Sequence, residues 1–273
     1  MEGFNIHELS APLRNVVRPL IAKGLEESFA SQGIDGFYKF NSEYLDTANV
    51  RPEFVKESDP RFAEWRRRLN EERGIMISNH PSIIDAPLLA SALSRPDVKI
   101  VVNKKFYEQT EGMPIHELFI PALQDTVSEV KSVMKQMEEH IKSGGLVWIF
   151  PTGAVAKGDA EAEFASGLRH LISRLDDTDM VYSFHIDTQS LPRSTNTLTV
   201  NSGLIADFLT LPELNPNSYR DTAFARIDES CTNAKEWKNS MVGAGKPERN
   251  KALTQHYLEL FGISGVEFIR KTD

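Results

Sequence analysis

From Gly74 onward the chain alternates short apolar runs with stretches of helical periodicity, and this alternation constrains the fold more than any other feature. The apolar runs are Ile75 to Ser78, Val98 to Val102, Leu146 to Phe150, Val181 to Ile186 and Leu198 to Val200. Between them lie Ala86 to Leu93, Thr126 to Lys142 and Ala165 to Leu175, which read as helices. Strands separated by helices need crossover connections, and crossovers cover both faces of a sheet whose strands run largely parallel. The expected class is α/β: a mostly parallel central sheet flanked by helices.

Residues 1–70 read differently, as an N-terminal helical segment set apart from the α/β body over 71–273. Leu13, Val16, Val17, Leu20, Ile21 and Leu25 recur at helical spacing, with Arg14, Arg18, Lys23, Glu26 and Glu27 on the polar face. That face permits peripheral contact with a membrane, but the two glutamates dilute its positive charge and packing on the body is the plainer expectation. Gly33, Gly36 and the stretch from Thr47 to Pro60 read as connecting loop. A last helix, near Lys251 to Phe261, is expected to pack back on the body.

Composition narrows the partners. The 273 residues suffice for a full core without disulfides, and 40% hydrophobic against 26% charged residues describes a globular chain. With 31 basic and 39 acidic residues the net charge is −8, which argues against a nucleic-acid partner. Only Cys231 is present, so no internal disulfide forms and a reducing compartment, the cytoplasm, is expected. No targeting sequence is read at the N-terminus, and no apolar run approaches the roughly 18 residues of a membrane span.

The sharpest local feature is Asn79-His80-Pro81-Ser82-Ile83-Ile84-Asp85, immediately after a strand. In a parallel sheet, ligands meet the loops that leave the carboxyl ends of the strands. Asp85 falls in the first turn of the next helix and His80 in the loop, so the carboxylate can hold one ring nitrogen and leave the other toward a cleft. The same residues also suit a structural turn in which Ser82 or Asp85 caps the helix. A second feature, Phe150-Pro151-Thr152-Gly153, leaves another strand, with Lys157 and then Phe164-Ala165-Ser166-Gly167 beyond it. Glycine there lets backbone amides approach a ligand carbonyl or anion.

Together these motifs, in this order and spacing, resemble the glycerolipid acyltransferases of the glycerol-phosphate and lysophosphatidate type, over about Gly74 to Ile186. The resemblance makes 71–273 an acyltransferase-like domain and implies His80 as general base, Asp85 as its orienting partner, and an acyl thioester on coenzyme A or acyl carrier protein as co-substrate. No other cofactor and no metal are expected. It also implies substrate contacts at Asn79, Ser82, Phe150, Pro151, Thr152 and Gly153. Lys104 and Lys105, with Lys99 in the same acid-free window, resemble the family's second block and offer positive charge to a donor phosphate or an acidic carrier protein. Lys157 offers the same near the third.

The departures are equally informative. Where the family reads Phe-Pro-Glu-Gly-Thr-Arg, this chain has Thr152, Ala154 and Val155 in place of Glu, Thr and Arg. Arginines of that kind hold an acceptor phosphate, so the expected acceptor is a hydroxyl or amine other than glycerol phosphate. The alternative is a non-catalytic protein that binds acyl chains or carrier protein on the same scaffold. There is no Gly-x-Ser-x-Gly elbow, Gly243 to Lys246 is not a phosphate loop, and no two histidines stand at metal-ligand spacing. The Arg66-Arg67-Arg68 run and the Asp176, Asp177 and Asp179 cluster read as solvated charge.

Overall fold

The computed structural model describes residues 23–47, 50–80, 85–122, 126–152, 164–187, 223–245 and 248–263. Its centre is a seven-stranded sheet: β1 (Val50–Phe54), β2 (Gly74–Ser78), β3 (Val98–Asn103), β4 (Phe119–Ala122), β5 (Leu146–Ile149), β6 (Met180–Ile186) and β7 (Ala223–Asn233), in the order β1-β7-β6-β2-β5-β3-β4. The five strands from β6 to β4 are parallel, whereas β7 runs antiparallel to β6 and carries β1 parallel to itself. The α/β class with a mostly parallel sheet is therefore observed. The helices are α1 (23–32), α2 (Ile34–Thr47), α3 (Phe62–Glu71), α4 (Asp85–Ala90), α5 (Lys104–Gln109), α6 (Val127–Lys142), α7 (Ser166–Ile172), α8 (Ala234–Ser240) and α9 (Arg249–Leu260), with a 3₁₀ turn over Pro114–Leu118.

Strand periodicity sends alternate residues to opposite faces, and each face has its own core. Met76, Trp148, Tyr182 and Phe184 pack with Leu45 of α2, Phe62 and Leu69 of α3 and Leu88 and Leu89 of α4. Ile75, Ile77, Val147, Ile149 and Val181 pack with Met137 and Ile141 of α6, Leu168 of α7, Trp237 of α8 and Tyr257 of α9. Every residue of β2 is thus buried, which explains why it reads as an unbroken apolar run. In α6 the Thr126 hydroxyl accepts from the Glu129 N–H at 3.2 Å and donates to its carboxylate at 2.9 Å, and Gly144, at φ 105°, closes the turn beyond.

The N-terminal segment is not wholly helical. Residues 50–54, within the stretch read as loop, form β1, with Val50 and Phe54 buried and Arg51 and Glu53 exposed. Pro52 is tolerated because β1 is an edge strand, as is Pro121 in β4 at the other edge. The helix expected over Leu13 to Leu25 lies outside the described residues except at its end, where Leu25 packs against the core. The run Leu198 to Val200 also lies outside them.

Two charge clusters read as solvated are engaged in ion pairs. Arg73 joins Asp176 and Asp179, each at 2.6 Å, with Asp179 only 2% exposed, and Lys238 meets Asp177 at 2.8 Å. On α3, Arg67 pairs with Glu64 and Glu71, and Arg68 with Glu72 at 3.0 Å. Among the described residues, no helix is long and apolar enough to cross a membrane.

Candidate active site

The parallel strands β6, β2, β5 and β3 all point their carboxyl ends the same way, so the loops that follow them share one edge of the sheet. His80 follows β2, Phe150 to Thr152 follow the adjacent β5, and Lys104 and Lys105 follow β3. The fold therefore gathers, at one edge, motifs that lie far apart in sequence.

His80 and Asp85 meet as the spacing requires. The imidazole Nδ1 lies 2.6 Å from Asp85 Oδ2, and the other carboxylate oxygen accepts from the Ala86 N–H at 2.9 Å. The Asp85 side chain is fully buried, whereas that of His80 is 22% exposed. A buried carboxylate that accepts from Nδ1–H leaves the lone pair on Nε2, the arrangement of an oriented base. One face of the ring is covered by Phe150, stacked at 4.3 Å between centroids and 24° between planes.

Asn79 anchors the loop. Its carboxamide donates to the Ile186 carbonyl and accepts from the Ile186 N–H, both at 2.9 Å, while its own N–H donates to the Tyr257 hydroxyl at 3.0 Å. Asn79 is buried, and these bonds fix the shape of the loop. Past β5, the Pro151 carbonyl accepts from the Ala165 N–H at 2.9 Å, and Phe164 N–H donates to Thr254 Oγ1 at 2.9 Å. These bonds tie the Phe-Pro-x-Gly and Phe-x-x-Gly motifs to each other and to α9. Thr152 is buried beside them.

Lys104 is half-buried and Lys105 exposed at the start of α5. With β5 between β3 and β2, they stand about 10 Å, two strand spacings, from the exit of β2. Lys99 differs, because its ammonium donates to the Glu117 carbonyl and belongs to the packing of the 3₁₀ turn. Ser82, Gly153 and Lys157, and with them Ala154 and Val155, lie outside the described residues. Burial pushes the Cys231 thiol up to about 11, so it stays protonated and is a poor nucleophile. Among the described residues, no cluster of histidine, cysteine and carboxylate side chains is placed to hold a metal.

Two residues at the site had no signal in the sequence. Tyr257 and Thr254 sit in a stretch that reads only as a packing helix, and nothing short of the docked position of α9 links them to residues 79 and 164.

Residues 53–185 match the family model described as Acyltransferase, a span that holds His80, Asp85, both lysines of α5 and the two glycine motifs. Over that span the sequence matches an acyltransferase-family domain. This bears out the family read from the motifs, while β7, α8 and α9 lie beyond the matched span. No curated protein matches the sequence. Among solved structures, the chain is similar to the crystal structure of the 1-acyl-sn-glycerophosphate (LPA) acyltransferase, PlsC, from Thermotoga maritima. The TM-score is 0.47 at 12% identity, covering 86% of this chain and 84% of that one.

Proposed function

We propose that the domain moves a fatty-acyl group from an acyl thioester, on coenzyme A or acyl carrier protein, to a hydroxyl or amine acceptor other than glycerol phosphate. The observation that carries this reading is the 2.6 Å contact between His80 Nδ1 and a fully buried Asp85 at the carboxyl end of β2. His80 Nε2 takes the proton of the acceptor as the acceptor atom attacks the thioester carbonyl carbon. The carbon–sulfur bond then breaks, and the departing thiolate takes that proton from Nε2, so His80 ends neutral. Asp85 stabilises the imidazolium between the two steps. No acyl-enzyme is needed, in keeping with the half-buried, protonated thiol of Cys231.

Backbone amides around Gly153 are assigned to the thioester oxygen as charge develops on it. Lys104, Lys105 and Lys157 are assigned to anionic parts of the donor, Ser82 and Pro151 to the substrate-facing loops, and Thr152 to the acceptor side. Glycerol phosphate is set aside as the acceptor because Thr152 and Val155 stand where the resembled family has Glu and Arg. The reading puts the protein in the cytoplasm, in peripheral contact with a membrane at most.

The test is acceptor-dependent release of free thiol from long-chain acyl-coenzyme A or acyl carrier protein, followed with a chromogenic thiol reagent. Release that His80→Ala abolishes supports the reading, and release unchanged in that variant removes His80 from the mechanism. Tight binding of the acyl thioester without turnover by the wild type would instead make the chain an acyl-binding protein.

A further inference from the structure

The rung beyond the end of the β2–β6 ladder is built from side chains. The two strands pair in parallel register up to Ser78 opposite Phe184. One more rung would set Asn79 opposite His185, with the Asn79 N–H donating to the Phe184 carbonyl and the Asn79 carbonyl accepting from the Ile186 N–H. Instead, the Tyr257 hydroxyl accepts from the Asn79 N–H at 3.0 Å and donates to the Phe184 carbonyl at 2.5 Å. On the other flank the Asn79 carboxamide oxygen takes the Ile186 N–H at 2.9 Å.

A hydroxyl inserted between a backbone donor and acceptor adds a second hydrogen-bond length to the rung. It therefore holds β2 off β6 at this level and fixes the plane of the peptide that precedes His80. Tyr257 is 1% exposed, its ring packed on Phe164 at 5.2 Å and Phe261 at 5.1 Å, so the hydroxyl has little room to shift. His185 Nδ1 lies 3.4 Å from the same oxygen. From this geometry we infer that Tyr257 is a positioning residue for His80: its hydroxyl, acting through the Asn79 peptide, sets where the imidazole meets Asp85 and the acceptor. The inference rests on His80 acting as the base in acyl transfer. It also gives α9, beyond the matched family span, a part in that chemistry.

Tyr257→Phe tests it, because the variant keeps the ring and frees two backbone groups that are complementary. With the hydroxyl gone, Asn79 N–H and Phe184 C=O close directly on one another, so the melting temperature stays near that of the wild type. The turn carrying His80 moves with them. The expected result is a kcat lowered roughly 10- to 100-fold with KM for the acyl thioester within about twofold, the signature of lost orientation rather than lost binding. The control is Thr232→Val, which removes the acceptor of the Trp237 Nε1–H bond at 2.8 Å, far from this edge. It should lower the melting temperature and leave kcat unchanged.

A readout independent of turnover is the NMR spectrum of the His80 imidazole, whose nitrogen and Nδ1–H signals should shift in Tyr257→Phe. Unchanged His80 signals overturn the inference, as does a variant that fails to fold, because either makes the hydroxyl a matter of stability alone. If the wild type transfers no acyl group, the functional reading fails, and the His80 signals still decide whether Tyr257 positions that ring.

Discussion

Replacing Asp85 by Asn separates the two jobs of this carboxylate. Both of its oxygens accept: one from His80 Nδ1–H at 2.6 Å and one from the Ala86 N–H at 2.9 Å. A carboxamide has a single accepting end, so in a fully buried site one N–H must face another. If the oxygen stays on Ala86, the NH₂ faces Nδ1 and the ring carries its proton on Nε2, where it cannot act as a base. Turning the amide to recover the active tautomer opposes two donors at Ala86, at about 1–3 kcal/mol for a buried group left unsatisfied. The lost charge removes roughly another 1.5–3 kcal/mol from the imidazolium formed as the acceptor gives up its proton. Together these predict a fall in kcat of about 10²- to 10⁴-fold, at 1.36 kcal/mol per decade. Thiol release at saturating acyl thioester measures it, with the thermal melt as a check that Asp85→Asn is folded. A folded variant that retains kcat within about fivefold would refute the orienting role.

Two further predictions concern stability. Glu229 is 2% exposed, accepts from the Lys56 N–H at 3.1 Å, and burial pushes its carboxyl up to about 7. The folded protein therefore holds this proton more tightly than the unfolded chain, and stability falls as pH rises from about 4.5 through 7. Glu229→Gln should match the wild type near pH 4.5 and exceed it at pH 8 by at most about 3 kcal/mol in urea unfolding, and equal pH slopes for the two proteins would contradict this. The half-buried His140, His185 and His256, all held below the usual imidazole range by desolvation, act in the opposite sense: their contribution is present above about pH 6.5 and is lost as pH falls. At Gly74, a Cβ would stand 2.1 Å from the Met180 carbonyl oxygen of β6. Gly74→Ala should cost about 1–3 kcal/mol by urea unfolding, and an unchanged midpoint would show that β2 and β6 are not held at this spacing.

The fold was legible wherever burial follows from local composition. Ile75, Met76 and Ile77 are apolar in succession because both faces of β2 are covered, so the run announces a central strand. β1 and β7 were hidden because Arg51, Pro52 and Glu53 in one, and Arg226, Asp228 and Glu229 in the other, break the apolar pattern. Pairing of β1 with β7 and of β7 with β6, rather than composition, makes them strands. The reversed direction of β7 against β6 was equally out of reach, since no residue type encodes it.

The amino-acid order by itself determined the alternation that yields an α/β sheet, and the five-residue interval that joins an imidazole at a strand exit to a carboxylate in the following helix. Both are short-range consequences of covalent spacing and hydrophobic period. Only the folded chain decided that Phe150 would stack on His80, that Lys99 would be spent on a carbonyl, and that a tyrosine 178 residues from Asn79 would occupy the gap between two strands. Those contacts depend on how separately formed helices and strands dock, and docking is set by the summed packing of both sheet faces rather than by any local stretch of sequence.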